Sequence, residues 1–197
     1  MTFSHVAFAA LLTFTSFATA GAQESSTRGH STDVKFQYYN IDGDSAESLL
    51  NEMSAKGPVK DGTTYFGLTE SLTGLNFKTV QEDGSCRLVD ISVATEVVVT
   101  LPSWTSAANG PPNLVARWKV FETALHNHEG WHIASSKATT RKIHDALLAL
   151  RAPDCLIASN RAKQMSQSIL DDAEVENRAY DRTTGHGKTQ GAVWPPR

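Results

Sequence analysis

Apolar and polar residues fall into well-separated blocks along this chain, each with its own period. Val34 to Ile41 (Val-Lys-Phe-Gln-Tyr-Tyr-Asn-Ile) is aromatic and branched and runs into Asp42-Gly43-Asp44, a strand entering a turn. Asp44 or Ser45 then caps a short helix, Ala46 to Ser54, with Leu49, Leu50 and Met53 at helical spacing, and Gly57-Pro58 stops it. Gly62 to Val80 alternates polar and apolar residues, which predicts one long strand or two shorter ones broken near Gly67 or Gly74. Glu82-Asp83-Gly84-Ser85 is a hairpin-like turn, and Cys86 to Leu101 is the longest β-type run. Strands joined by such a turn pair antiparallel.

The period then changes. Pro102 to Pro112 holds Asn109-Gly110 and Pro111-Pro112 and reads as a loop, with Asn113 as a helix cap. From Leu114 to Leu150, Val115, Trp118, Phe121, Leu125, Ile133, Ile143 and Leu147 recur at roughly helical spacing, predicting one long helix or two. Ala152-Pro153-Asp154 ends it, and Asp154 caps a further helix through about Tyr180, supported by Ile157, Met165, Ile169 and Ala173. Asp181 to Arg197, rich in Gly, Thr and Pro, reads as a loop. Strands precede helices, so the expected class is α+β: an N-terminal antiparallel sheet with a short helix, then a long helix and a second helix packed on the sheet.

Composition narrows the class. The 197 residues are 40% hydrophobic with a formal net charge of −3, an ordinary globular profile with no basic face for nucleic acid. Val6 to Thr19 is apolar and uncharged and ends in Ala18-Thr19-Ala20 and Ala20-Gly21-Ala22, both of which suit signal cleavage, although Met1 to His5 carries no Lys or Arg. The expected layout is therefore a signal peptide over residues 1–22, a flexible lead-in over 23–32 and one domain over 33–197. That implies a periplasmic or secreted protein with no stable membrane insertion. In that compartment Cys86 and Cys155 pair as a disulfide.

The chemistry concentrates in His128-Glu129-Gly130-Trp131-His132. His128 and His132 stand at i and i+4 on one helix face, within reach of a single metal ion, and Glu129 flanks that face. This is the zincin arrangement: zinc polarises a water, Glu129 takes its proton and passes it to the leaving amine. A catalytic zinc needs a third protein ligand. Ala138 stands where a histidine six residues after His132 would serve. His144 lies about 18 Å farther along a continuous helix, and His126 faces away. Glu174, Glu176, Asp171, Asp172, Asp181 and His186 remain as alternatives.

Several features together resemble a known family. They are Tyr38-Tyr39-Asn40-Ile41-Asp42-Gly43, Gly57-Pro58, a single cysteine before a long β run, and Leu101-Pro102-x-Trp104. The histidine–glutamate helix, Cys155 and the closing Tyr180-Asp181-x-x-Thr184-Gly185-His186-Gly187 complete the set. The chain is similar, over about Val34 to Pro196, to a bacterial family of exported proteins carried as a domain of unknown function and described as zinc-dependent proteases. The resemblance implies His186 as the third zinc ligand. Tyr180, or Tyr38, is the candidate oxyanion donor, and the strand ending at Thr100-Leu101 offers an edge for an extended peptide. The expectation is thus a zinc peptidase acting on peptides or proteins. A zinc hydrolase with a cell-wall or other non-peptide substrate and a non-catalytic metal-binding module are the alternatives.

Overall fold

The computed structural model describes residues 29–196. The expected signal peptide, and the part of the lead-in before residue 29, lie outside the described residues. In chain order the elements are β1 (Gly29–Ile41), α1 (Ala46–Lys56), β2 (Val59–Lys60), β3 (Thr63–Thr64), β4 (Leu68–Glu82), β5 (Ser85–Trp104), α2 (Pro112–Ala149), β6 (Arg151–Ala152) and α3 (Cys155–Thr184), with short 3-10 turns at Ala107–Asn109 and Lys188–Gln190. The class is α+β, with α2 and α3 packed against the sheet.

The sheet runs β1-β5-β4, with β6 adding a short pairing to β5. It is mixed, not wholly antiparallel as expected: β4 pairs antiparallel with β5, but β1 runs parallel to it. The reason lies in the connections. Ile41 ends beside Trp104 and Leu68 starts beside Thr100, so α1 and the β2–β3 hairpin turn the chain back at one end of the sheet. β4 must then descend, and the tight turn at Asp83-Gly84 sends β5 up between its two neighbours. β5 is the centre of the sheet, with Thr100 paired to Gln37 on one side and Leu68 on the other and Leu101 paired to Tyr38, so the edge strands are β1 and β4 and not β5.

Alternation along β5 buries Val93, Thr95, Val97, Val99 and Leu101 toward the helices, but Cys86 and Leu88 are buried in the opposite phase. A β-bulge reconciles the two. Asp90 takes a left-handed backbone (φ 50°) where the β4 register shifts between Asn76 and Lys78, and one extra residue flips the faces.

The helix boundaries follow local chemistry. Ser45 caps α1, accepting from the Ser48 amide, and Gly57 closes it. Asp154 caps α3 through the Ile157 amide at 2.8 Å. α2 is a single helix of 38 residues with proline in its first turn; Asn113 lies inside it and is not its cap. Cys86 and Cys155 form the expected disulfide, tying β5 to the first residue of α3. Three expectations shift. β1 begins at Gly29, so residues 29–32 belong to the strand and not to the lead-in; β5 extends to Trp104; and α3 continues past Tyr180 to Thr184. The tail is also packed: Trp194 is buried beside Trp118 and Phe121, and its indole donates to the Ala46 carbonyl at 2.8 Å. Among the described residues no helix is long and apolar enough to cross a membrane.

Candidate metal centre

The middle of α2 faces α3 and the start of β4. His128 and Glu129 are buried there, at 3% and 4% exposure, although both are polar. Charged or polar groups are rarely buried so deeply without partners, so their partners define the site.

His128 Nε2 lies 3.3 Å and His132 Nε2 3.0 Å from the same oxygen, Oδ1 of Asp181 on α3. These three donor atoms fall within 4.8 Å of one another. The far sides of both rings are fixed as well. His132 Nδ1 sits 2.7 Å from Asn177 Oδ1, and Asn177 is oriented by donating its amide nitrogen to the Ala173 carbonyl at 2.7 Å. His128 Nδ1 sits 3.0 Å from Gln190 Oε1, whose amide nitrogen donates to the Tyr180 hydroxyl at 2.9 Å. With those amide oxygens accepting, each Nδ1 carries a proton, and each Nε2 meets Asp181 Oδ1 in one of two ways. Protonated, it donates a hydrogen bond to the carboxylate; unprotonated, its lone pair and those of the carboxylate converge on a point that a cation would fill. Two imidazoles and one carboxylate are also an ordinary zinc donor set, so the residues present fit a metal ion.

Glu129 lies beside this cluster. Thr69 of β4 donates to its Oε2 at 2.7 Å. Gly67 passes so close that a Cβ there would stand 2.8 Å from Glu129 Oε1, so only glycine lets the strand approach the carboxylate. Burial pushes the Glu129 carboxyl above its ordinary range, against the Thr69 hydrogen bond and the two histidines, which favour the ionised form. Burial alone would lower the His132 pKa, but hydrogen bonds to Asp181 and Asn177 outweigh it and the net shift is upward. Burial would raise Asp181, yet hydrogen bonding to His128 and His132 holds it well below the usual carboxylate range.

These groups open into a cleft of about 1020 Å³ between the β2–β4 segment and α3, lined among others by Tyr65, Phe66, Thr69, Arg178 and His186. His186, expected as the third ligand, reaches the cleft on a reversal where Gly185 and His186 are both left-handed (φ 57° and 54°). Its ring lies 5.2 Å from that of Tyr65, half of its side chain is exposed, and its Nδ1 is 3.9 Å from Asp181 Oδ1. It stands beside the three converging donors and not among them; the third donor of the cluster is Asp181, one of the open alternatives.

Tyr180 departs from its expected role as oxyanion donor. Its ring stacks on Trp131 at 3.9 Å and on His128 at 5.1 Å, its hydroxyl is engaged by Gln190, and it does not line the cleft. Tyr38 stands in β1, exposed and away from the cleft. Of the remaining alternatives, Glu174 pairs with Arg178 at 3.1 Å, Asp171 accepts from Gln167, Asp172 is exposed, and Glu176 lines a shallow groove on the other side of α2 and α3. His126 lies by Phe36 and His144 by His30, both outside the cluster.

Thr69, Asn177 and Gln190 are the functional neighbours that sequence reasoning missed. Asn177 carried a signal, since it precedes Asp181 by one helical turn and shares its face. Thr69 and Gln190 carried none, because each arrives from an element remote in sequence.

Fold and site together define an α+β protein with a two-histidine, one-aspartate cluster between its two long helices, the histidines on α2 and the aspartate on α3. The chain belongs to the family described as "Bacterial protein of unknown function (DUF922)", which matches residues 36–187. No curated protein and no solved structure matches it.

Proposed function

We propose that this protein is an exported zinc-dependent hydrolase that cleaves peptide or amide bonds. The observation that carries the reading is the convergence of His128, His132 and Asp181 beside a buried, oriented Glu129 on the wall of one open cleft. His128, His132 and Asp181 would hold the ion. A bound zinc supplies Lewis acidity, bringing water toward ionisation near neutral pH and polarising a carbonyl.

The chain's own groups do the rest. Glu129, buried and pinned by Thr69, accepts a proton from the attacking water and returns it to the leaving amine. Burial keeps bulk water from competing for that carboxylate and raises its basicity. His186, half exposed at the cleft mouth, is placed to donate a hydrogen bond to the carbonyl oxygen as charge develops there. The cleft is long, open and bounded on one side by the start of the edge strand β4, which suits an extended peptide that adds to a sheet edge. The Cys86–Cys155 disulfide fits an oxidising compartment and therefore export.

The test is metal content by mass spectrometry together with turnover of a peptide library by wild type and Glu129→Gln. The expected result is a single zinc ion in both proteins and turnover about 10²–10⁴-fold lower in the variant. A wild type that takes up no zinc on refolding with the metal, or equal turnover by the variant, overturns the reading.

A further inference from the structure

We propose that Asn177 and Gln190 are positioning residues of the metal centre, two neutral amides that select the Nδ1–H tautomer of His132 and His128 and so present both Nε2 atoms to the ion. The inference rests on the metal reading above and concerns how this chain builds the site. Metal-bound histidines need the second nitrogen protonated and held, and the groups that hold it tune affinity as well as orientation. Here the holders are a 2.7 Å contact from Asn177 and a 3.0 Å contact from Gln190, and neither is interchangeable with the other nitrogen of its ring. Asn177 has its orientation dictated by the Ala173 carbonyl, which only accepts, and is locked with its oxygen toward the imidazole. Gln190 is held in place by the Tyr180 hydroxyl, which lies 2.9 Å from its Nε2 and 3.3 Å from its Oε1.

The two contributions differ in size for a physical reason. Asn177 is half-buried between α2 and α3, whereas Gln190 sits on the exposed 3-10 turn of the tail. Water substitutes more readily for Gln190 than for Asn177 once the side chain is removed. The use of amides also has a consequence. A carboxylate in either place makes the imidazole a stronger donor, so the neutral amide trades some affinity for a more electron-poor ion. Gln190 further ties the site to the C-terminal segment, because its turn leads directly into Ala192 and Trp194, which are buried in the core.

The experiment measures zinc affinity by chelator competition on the purified protein, with Asn177→Ala, Gln190→Ala, Asn177→Asp and Gln190→Glu beside wild type and thermal unfolding of each as a fold control. Zinc affinity should fall about 10–100-fold in Asn177→Ala and by about tenfold or less in Gln190→Ala. The acidic variants, which keep the acceptor, should bind at least as tightly as wild type. Long-range ¹⁵N–¹H NMR on the zinc-loaded wild type should find both histidines protonated at Nδ1. Folded alanine variants with wild-type affinity, or a loss that the acidic variants fail to rescue, overturn the proposal. Should an alanine variant not fold, the wild-type tautomers decide: a proton on Nε2 of either ring overturns it. A wild type that binds no zinc overturns the metal reading itself, a distinguishable result.

Discussion

At its N-terminal end α2 joins Trp118 and Phe121 to a cluster that holds Val97, Val99, Leu101, Trp104 and Trp194; at its C-terminal end Ile143 and Leu147 join a cluster of Leu88, Ile91, Val93, Ala158, Ala162 and Ile169. The first half is aromatic, with Trp194 seated edge-on against Trp118 and Phe121 at 5.4 and 5.5 Å. The second is aliphatic, thinned by alanines that let α3 approach, and closed by the Cys86–Cys155 disulfide. Between them lies a polar waist where the hydroxyls of Thr95 and Thr140 meet at 2.6 Å, with the His128–His132–Asp181 cluster on the aromatic side. One half is therefore fastened covalently. The other is fastened by the last residues of the chain, and those residues also supply Gln190 to the site.

Trp194→Ala breaks the comparison most severely. Removing a buried tryptophan from a packed core costs about 3–5 kcal/mol, and here it also frees the segment that carries Gln190. Denaturant unfolding should register the loss, and chelator competition on the folded variant should register weaker zinc binding. A variant that loses stability and keeps wild-type zinc affinity would separate the tail from the site.

The paired substitution Cys86→Ala with Cys155→Ala attacks the other fastening. The bond spans a sequence separation of 69 residues, for which restriction of the unfolded chain predicts a loss of about 3–4 kcal/mol. Zinc affinity of the folded, disulfide-free protein should stay at the wild-type value, because no ligand or amide holder belongs to that half. Weakened zinc binding there would mean that the two halves act as one.

The same division explains what the sequence made legible. The distal half is written in local signals: alternation in β5, the Asp154 cap, and two cysteines with no other partners. The histidines and Glu129 were legible too, because their spacing on one helix is itself the chemistry. Asp181 was assigned to the tail because the helical pattern faded near Tyr180, whereas the left-handed Gly185 after Thr184 marks the true end of α3. Extending the helix to that glycine places Asn177 and Asp181 one turn apart on one face. The parallel pairing of β1, its start at Gly29 and the burial of Trp194 depend on partners far away in the chain, and no local period encodes them.

The smallest effect sharpens the comparison from inside the distal half. Asp154→Ala removes the side chain that accepts from the Ile157 amide at 2.8 Å, a loss of about 1 kcal/mol. The next residue, Cys155, is bonded to β5, so the first turn of α3 cannot relieve the missing cap by fraying away from the sheet. The full cost should therefore appear in global unfolding of the disulfide-bonded protein. In the Cys86→Ala, Cys155→Ala background that turn is free to unwind locally, and the same substitution should cost less. Denaturant melts of the four proteins in this cycle give the coupling directly. Equal costs in both backgrounds would show that packing around Ala158 holds the turn and that the bond does not. In either background zinc affinity should not change, since Asp154 lies about 40 Å along the α3 axis from Asp181.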